Sequence, residues 1–427
     1  MYRSILQQLT EWKNGSDRKP LILNGARKVG KTWILREFAR QEYAKEAYVI
    51  CRKNEYARLL FAQDFDIERI LRGLRAITST DITPGDTLII LDEVQDIPEA
   101  IESLKYFCEQ APQYHIAVAG SLLGISLHPS VSYPVGKVDV LNLYPMNFSE
   151  FLLAKGERQL CESLSQEDYD TASVMHDKLV DLLRQYYYVG GMPEAVLKYV
   201  ETGALVAVRQ IQQRILNGYL SDFSKHAPSE QVQRITMVWR SIPSQLFKEN
   251  KKFIYGTLRK GARAKDFEMA IQWLSSAGLV YKIPRCTKLA QPLAIYEDLS
   301  AFKLYFLDIG LLGAMVHTEA SQILVANQAF TEYKGGMTEQ YVLQEMTSHA
   351  VSPIYYYTAD DSRLELDFVI SRHAQLLPVE VKAEGNVRAN SLTSYLSAHP
   401  EIKAIRYSML PYRQQGQLTC IPLYHIL

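Results

Sequence analysis

The sequence predicts an α/β chain in which a parallel sheet comes first, helices follow, and a second sheet lies toward the C-terminus. Three observations carry this reading. An apolar strand at residues 21–23 leads into Gly25-Ala26-Arg27-Lys28-Val29-Gly30-Lys31-Thr32 and then into a helix-forming stretch at 33–40. A continuous apolar run, Leu88-Ile89-Ile90-Leu91, ends in Asp92-Glu93. Near the C-terminus come strand-length runs at 354–357, 364–370 and 376–382, the last two setting acids and a lysine among apolar residues.

The first motif has the spacing of a phosphate-cradling loop, with two glycines set apart, then a lysine and a hydroxyl residue. Its glycines let the backbone close around a triphosphate, helix N-terminal amides face the phosphate charge, and Lys31 adds a cation. Gly25, Ala26, Arg27, Lys28, Val29, Gly30, Lys31 and Thr32 are therefore the expected ATP-binding residues, with Thr32 offering its hydroxyl to Mg2+. The apolar run of the second motif suits a parallel strand covered on both faces. Acids at its carboxyl end sit where open α/β sheets bind ligands. Asp92 is the expected Mg2+ holder, and Glu93 the residue that orients and deprotonates attacking water. Residues 47–50 and 115–119 read as further strands of this sheet, and Ser121 after the latter is a candidate for contact with the γ-phosphate or the attacking water.

Composition bounds the rest. The 427 residues are enough for roughly two to four domains with proper cores. Lys+Arg and Asp+Glu both number 47, so any nucleic-acid surface must be local. The five cysteines are scattered, without metal-type or redox spacing, which fits a reduced compartment. Residues 1–13 lack a signal-peptide core and no apolar run reaches membrane-spanning length, so a cytoplasmic protein without membrane contact is expected.

Four segments emerge. Residues 1–154 form the sheet domain, closing with a strand at 138–143 and the run at 144–151. Residues 155–250 form a helical lid or bridge, polar over 156–171, helical over 177–188 and interrupted at Gly190-Gly191-Met192-Pro193. Residues 251–318 read as a winged helix-turn-helix: Phe267, Ala270, Ile271 and Leu274 keep one apolar face, Gly278 ends the helix, and strand-like pieces follow at 279–283, 294–296 and 303–307. Here Lys248, Lys251, Lys252, Arg259, Lys260, Arg263 and Lys265 are opposed only by Glu249. That cluster reads either as a phosphate footprint for DNA, centred on Lys260 and Arg263, or as the solvated face of a connecting module.

Residues 325–427 hold a second constellation. The two-residue period of paired strands places Asp367, Glu380 and Lys382 on one sheet face, where two carboxylates can hold Mg2+ and a lysine can stabilise developing negative charge. Glu339, in a helix-like run at 337–346, is the third candidate carboxylate. The order Glu339, Asp367, Glu380, Lys382, with a later helix at 387–398 and strand at 404–408, resembles the PD-(D/E)xK nuclease superfamily. The resemblance implies a restriction-endonuclease-like α/β fold, with Lys382 as its catalytic lysine and the three acids as metal ligands.

End to end, the chain resembles a prokaryotic AAA-type ATPase family with a C-terminal domain of unknown function. The signatures, besides the phosphate loop, are Leu91-Asp92-Glu93-Val94-Gln95, Ala119-Gly120-Ser121, Tyr144-Pro145-Met146-Asn147-Phe148-Ser149-Glu150-Phe151, Gly190-Gly191-Met192-Pro193-Glu194, Lys303-Leu304-Tyr305-Phe306-Leu307-Asp308-Ile309-Gly310-Leu311 and Glu365-Leu366-Asp367-Phe368-Val369. The resemblance implies ATP and Mg2+ as cofactors, ATP hydrolysis, a winged-helix middle and a nuclease-like end. One departure is Gly136-Lys137, where members often have Gly-Arg; lysine lacks the planar fork of an arginine finger, and Arg27 is an alternative cation. Many AAA-type enzymes complete their site with a neighbour's arginine, so a homo-oligomer stays open. Three functions follow: ATP-gated DNA processing, a nucleotide-driven switch whose nuclease-like domain is a non-cleaving scaffold, and a winged-helix regulator of DNA occupancy.

Overall fold

A computed structural model describes residues 1–120, 134–248, 251–324, 331–359, 364–372, 375–383 and 390–426. Ser121, Glu249 and residues 387–389 of the expected helix lie outside them. The chain divides into two compact units, one of Tyr2–Tyr144 with Ser276–Gly278, the other of Met1, Pro145–Ser275 and Leu279–Leu427.

The first unit is built on five strands, β1 (Leu21–Asn24), β2 (Lys45–Ile50), β3 (Thr87–Asp92), β4 (His115–Ala119) and β5 (Asp139–Asn142), in the order β2-β3-β4-β1-β5. Every pairing is parallel. The expected apolar runs become β3 and β4, which are buried along their whole length because helices cover the sheet. Helices Glu55–Gln63, Ile67–Thr78 and Pro98–Gln110 pack Phe61, Ile70, Leu71 and Phe107 against Ile22, Val49, Ile89 and Val118. Each such side chain contributes about 1.5–3 kcal/mol by leaving water. Asn54 and Asp66 start two of these helices by accepting from the amides of Ala57 and Arg69.

The second unit opens with helices. Residues 156–171, read as a polar connection or a loosely packed helix, fold as the short helices Arg158–Ser165 and Tyr169–Val174, the latter capped by Asp168 on the Thr171 amide. The helical stretch from 193 resolves into Pro193–Thr202, Leu205–His226 and Ser229–Leu246. Eight strands follow: β6 (Val280–Cys286), β7 (Glu297–Phe306), β8 (Ile354–Thr358), β9 (Glu365–Arg372), β10 (Gln375–Val381), β11 (Ala404–Ser408), β12 (Arg413–Gln415) and β13 (Leu418–Pro422). They make one sheet, β12-β13-β11-β10-β9-β8-β6-β7. Segments 251–318 and 325–427 thus share a sheet, joined where Arg285 and Cys286 of β6 pair in parallel with Tyr356 and Tyr357 of β8. Residues 294–296, expected as a strand, lie in a 3-10 turn, Leu293–Tyr296, because the Ile295 amide bonds back to the Pro292 carbonyl.

Helix Thr331–Ser348 turns an unusually polar face inward. Gln340 donates to the Phe306 carbonyl at 2.6 Å and accepts its amide at 2.8 Å. Gln344 accepts from the Ile309 amide at 2.9 Å and donates to the Tyr186 hydroxyl at 2.8 Å, which in turn donates to the Met146 carbonyl. Glu345 accepts the Phe148 amide at 3.0 Å, and Tyr341 donates to the Leu423 carbonyl at 2.9 Å. Asp308 takes the amides of Gly191 at 2.6 Å and Leu311 at 2.9 Å. A Cβ at Gly191 would lie 2.0 Å from the Met146 carbonyl oxygen, which explains the glycine. Three signature runs, at 144–151, 190–194 and 303–311, therefore meet in one buried hydrogen-bond network.

Burial pushes the Glu345 carboxyl from its ordinary 4.5 up to about 8, against the pull of the Phe148 amide. A raised acid contributes stability that is fully present below its unfolded value and is lost as pH rises through the folded one. The unfolding temperature of the second unit is expected to fall between about pH 4.5 and pH 8, and Glu345→Gln to flatten that slope. Thermal unfolding of both proteins across this range checks it.

Candidate functional site

Strand register sets the site's geometry. Ile50 pairs with Asp92, Asp92 with Ala119, and Ala119 with Leu23, so the acid end of β3 is level with the end of β1, with β4 between them. The loop after β1 passes through left-handed backbone at Lys28 (φ 71°) and Gly30 (φ 101°) before helix Lys31–Glu42 begins. A Cβ at Gly25 would sit 2.3 Å from the Leu143 carbonyl oxygen, so only glycine fits. Arg3 ties the loop down, donating to the carbonyls of Val29 at 3.0 Å and Tyr144 at 2.6 Å.

Lys31 folds over this loop, its Nζ donating to the carbonyls of Gly25 at 2.8 Å and Ala26 at 2.9 Å. Burial pulls its pKa down to about 8, opposed by Glu93 and Asp92 and assisted by Arg27. Asp92 is buried, and its Oδ2 accepts from Thr32 Oγ1 at 2.7 Å and from the Tyr48 hydroxyl at 2.9 Å. Its Oδ1 accepts the Glu93 amide at 3.0 Å. Glu93 itself holds left-handed backbone (φ 52°, ψ 43°), a conformation that costs a non-glycine residue about 1–3 kcal/mol. Gln95 donates to Glu93 Oε2 at 2.6 Å and fixes its carboxylate. The Thr32 hydroxyl and Asp92 carboxylate are hard oxygen donors, the set that Mg2+ takes alongside water and phosphate.

Arg3, Tyr48 and Gln95 were not assigned roles from the sequence. Tyr48 had a signal: it lies two residues before Ile50, the register partner of Asp92, so the two-residue period puts it on the Asp92 side of the sheet. Lys137, where the resemblance implies an arginine, forms an ion pair with Glu109 at 2.9 Å.

The C-terminal constellation forms differently from its expectation. Glu339 and Asp367 do meet, but two lysines join them. Lys251 Nζ is ion-paired with Glu339 Oε1, and the Tyr305 hydroxyl reaches Oε2 at 3.3 Å. Lys303, almost wholly buried, donates to Glu365 at 3.0 Å and lies 4.9 Å from the Tyr356 ring centre. Burial, then the Glu339 charge, pushes Asp367 up to about 7. Burial also acts to raise Glu339, but Lys251 and Lys303 outweigh it and hold that carboxyl below its ordinary value. Asp367 also accepts the Val381 amide at 2.8 Å.

Glu380 is engaged elsewhere: Oε2 accepts from Arg406 Nε at 2.7 Å, and Lys382 Nζ is 3.2 Å from Oε1. Among the described residues, no three acidic, histidine or cysteine side chains group as a metal set. Glu339 is ion-paired with Lys251, and Glu380 with Arg406 and Lys382, while Asp367 accepts a main-chain amide. The expected basic footprint changes too: Lys251 is half-buried in this network and Arg259 lies 3.9 Å from Asp266, while Lys252, Lys260, Arg263 and Lys265 are exposed.

The phosphate loop, the acid-tipped β3 and the parallel strand order give the first unit the arrangement of a P-loop nucleotide-binding domain. Residues 17–152 match the family described as AAA domain, residues 180–322 a domain of unknown function (DUF8612), and residues 334–425 a domain of unknown function (DUF4143). No curated protein matches the chain. Among solved structures it is similar to the Walker-type ATPase PABY2304 of Pyrococcus abyssi, at 13% identity and a TM-score of 0.45, covering 73% of this chain and 94% of that one. The Aeropyrum pernix ORC1 protein in complex with DNA matches at 15% identity and 0.30, covering 76% and 95%. The Thermotoga maritima RuvB Holliday junction branch migration motor matches at 13% and 0.30, covering 66% and 90%. Among the described residues no helix is long and apolar enough to cross a membrane.

Glu93→Gln is expected to leave ATP affinity within about twofold and to lower hydrolysis by about a hundredfold or more, read as phosphate release against nucleotide binding. Lys251→Met strands the Glu339 carboxylate and is expected to cost about 3 kcal/mol in denaturant unfolding of the second unit.

Proposed function

We propose that the chain is a nucleotide-driven switch, with an ATP-hydrolysing first unit and a second unit that acts as a non-cleaving, DNA-contacting scaffold. The observation that carries the scaffold reading is that two of the three acids are ion-paired: Lys251 with Glu339, and Arg406 and Lys382 with Glu380. A phosphodiesterase needs its carboxylates free to take a metal, and here Glu339 and Glu380 already carry cationic partners.

In the first unit, loop amides and Lys31 hold the phosphates, and the lysine exchanges its two carbonyl partners for phosphate oxygens. Thr32 and Asp92 would hold Mg2+, which would supply positive charge against the phosphates. Glu93, steered by Gln95, accepts a proton from the attacking water. Ser121, outside the described residues, is the candidate for contact with the γ-phosphate or the attacking water. In the second unit, helix Ala264–Ser276 and the β6–β7 hairpin support the winged-helix reading, and the exposed Lys260, Arg263 and Lys265 support phosphate contact.

The test measures duplex DNA affinity against salt, with and without ATP and Mg2+, alongside cleavage in Mg2+ or Mn2+. Affinity is expected to fall with salt, and Lys260→Ala with Arg263→Ala to reduce the logarithmic salt slope by about one for each lost phosphate contact. Lys31→Ala is expected to remove the ATP effect and leave the salt slope. No cutting is expected. DNA cleavage abolished by Lys382→Ala would replace the scaffold with a nuclease.

A further inference from the structure

Tyr48 reaches the ATPase site from β2, outside the sequence motifs that announce that site. Its hydroxyl donates to Asp92 Oδ2 at 2.9 Å, the same oxygen that accepts Thr32 Oγ1 at 2.7 Å. The Glu93 amide takes one position on Oδ1 at 3.0 Å. Each carboxylate oxygen offers about two acceptor positions, so Oδ2 is filled, the carboxylate plane is fixed, and one position on Oδ1 remains.

Tyr48 is itself held. The Arg36 guanidinium lies over its ring, 4.9 Å from the centre, and Glu46 grips Arg36 through Nη2 at 2.7 Å and Nε at 3.2 Å. Arg36 belongs to the helix that begins with Lys31 and Thr32. The chain Glu46, Arg36, Tyr48, Asp92, Thr32 therefore links β2, that helix and β3 through side chains alone. Tyr48 is only half-buried, so its hydroxyl has water as an alternative partner. The bond to Asp92 is not required merely to satisfy the phenol.

We propose that Tyr48 is a positioning residue for the metal-binding carboxylate, setting how much Mg2+ the protein needs to tighten its hold on ATP. Without the hydroxyl, Asp92 retains Thr32 and the Glu93 amide but loses the second bond that locks its plane. Binding the ion must then also order the carboxylate. This inference rests on the assignment of Asp92 and Thr32 to Mg2+.

The test uses the full chain and a fluorescent ATP analogue, titrated first in a chelator and then against Mg2+. Tyr48→Phe, which deletes one oxygen and keeps the ring, is expected to bind the analogue without metal within about twofold of wild type. Its Mg2+ midpoint is expected to rise about three- to tenfold, the range one hydrogen bond carries. Arg36→Met, which removes the clamp but not the hydroxyl, is expected to shift the midpoint in the same direction by less. Thermal unfolding of each variant without nucleotide confirms folding. An unchanged Mg2+ midpoint in Tyr48→Phe, or an equal loss of affinity with and without metal, overturns the positioning role alone. A wild type that binds no nucleotide overturns the ATP reading, and this role with it.

Discussion

A buried polar group must find a hydrogen-bond partner or cost the fold several kcal/mol, and in the second unit that requirement falls on one helix. Helix Thr331–Ser348 sends Gln340, Tyr341, Gln344 and Glu345 inward, and each finds a different partner segment. Gln340 takes both main-chain groups of Phe306, as a neighbouring strand would. Gln344 and Glu345 hold the amides of Ile309 and Phe148, while Asp308 holds Gly191. Moving any of these segments strands a buried donor or acceptor, so the network specifies one arrangement where apolar packing would tolerate several.

The same helix carries Glu339 into the charged cluster. Asp367 sits in that low-dielectric environment beside a carboxylate, and two ammonium groups balance the charge. A buried charge set of this kind is strongly destabilised when one member is removed, although the intact set adds little net stability over apolar packing.

The ATPase site was largely legible in the sequence because its chemistry is contiguous. Residues 25–32 are consecutive, and their glycines, lysine and threonine declare the loop without reference to any other part of the chain. Asp92 and Glu93 announce themselves by ending an apolar strand. Tyr48, Gln95 and Arg3 were harder to read, since their roles depend on strand register, on left-handed backbone at Glu93 and on a carbonyl far along the chain. The C-terminal acids mark the limit of period-two reasoning. It places residues on strand faces, but it says nothing of Lys251 arriving from another segment or of Arg406 claiming Glu380 from the neighbouring strand.

The sequence by itself determined the parallel-sheet unit, its phosphate loop and its acid-tipped strand, because local spacing and hydrophobic period encode them. Tertiary structure alone decided that segments 251–318 and 325–427 share one sheet, and that the signature runs at 144–151, 190–194 and 303–311 serve one hydrogen-bond network. It also decided which charge neutralises which. These outcomes depend on partners far apart in the chain, and electrostatic and hydrogen-bond pairing acts through distance in space, which spacing along a sequence does not record.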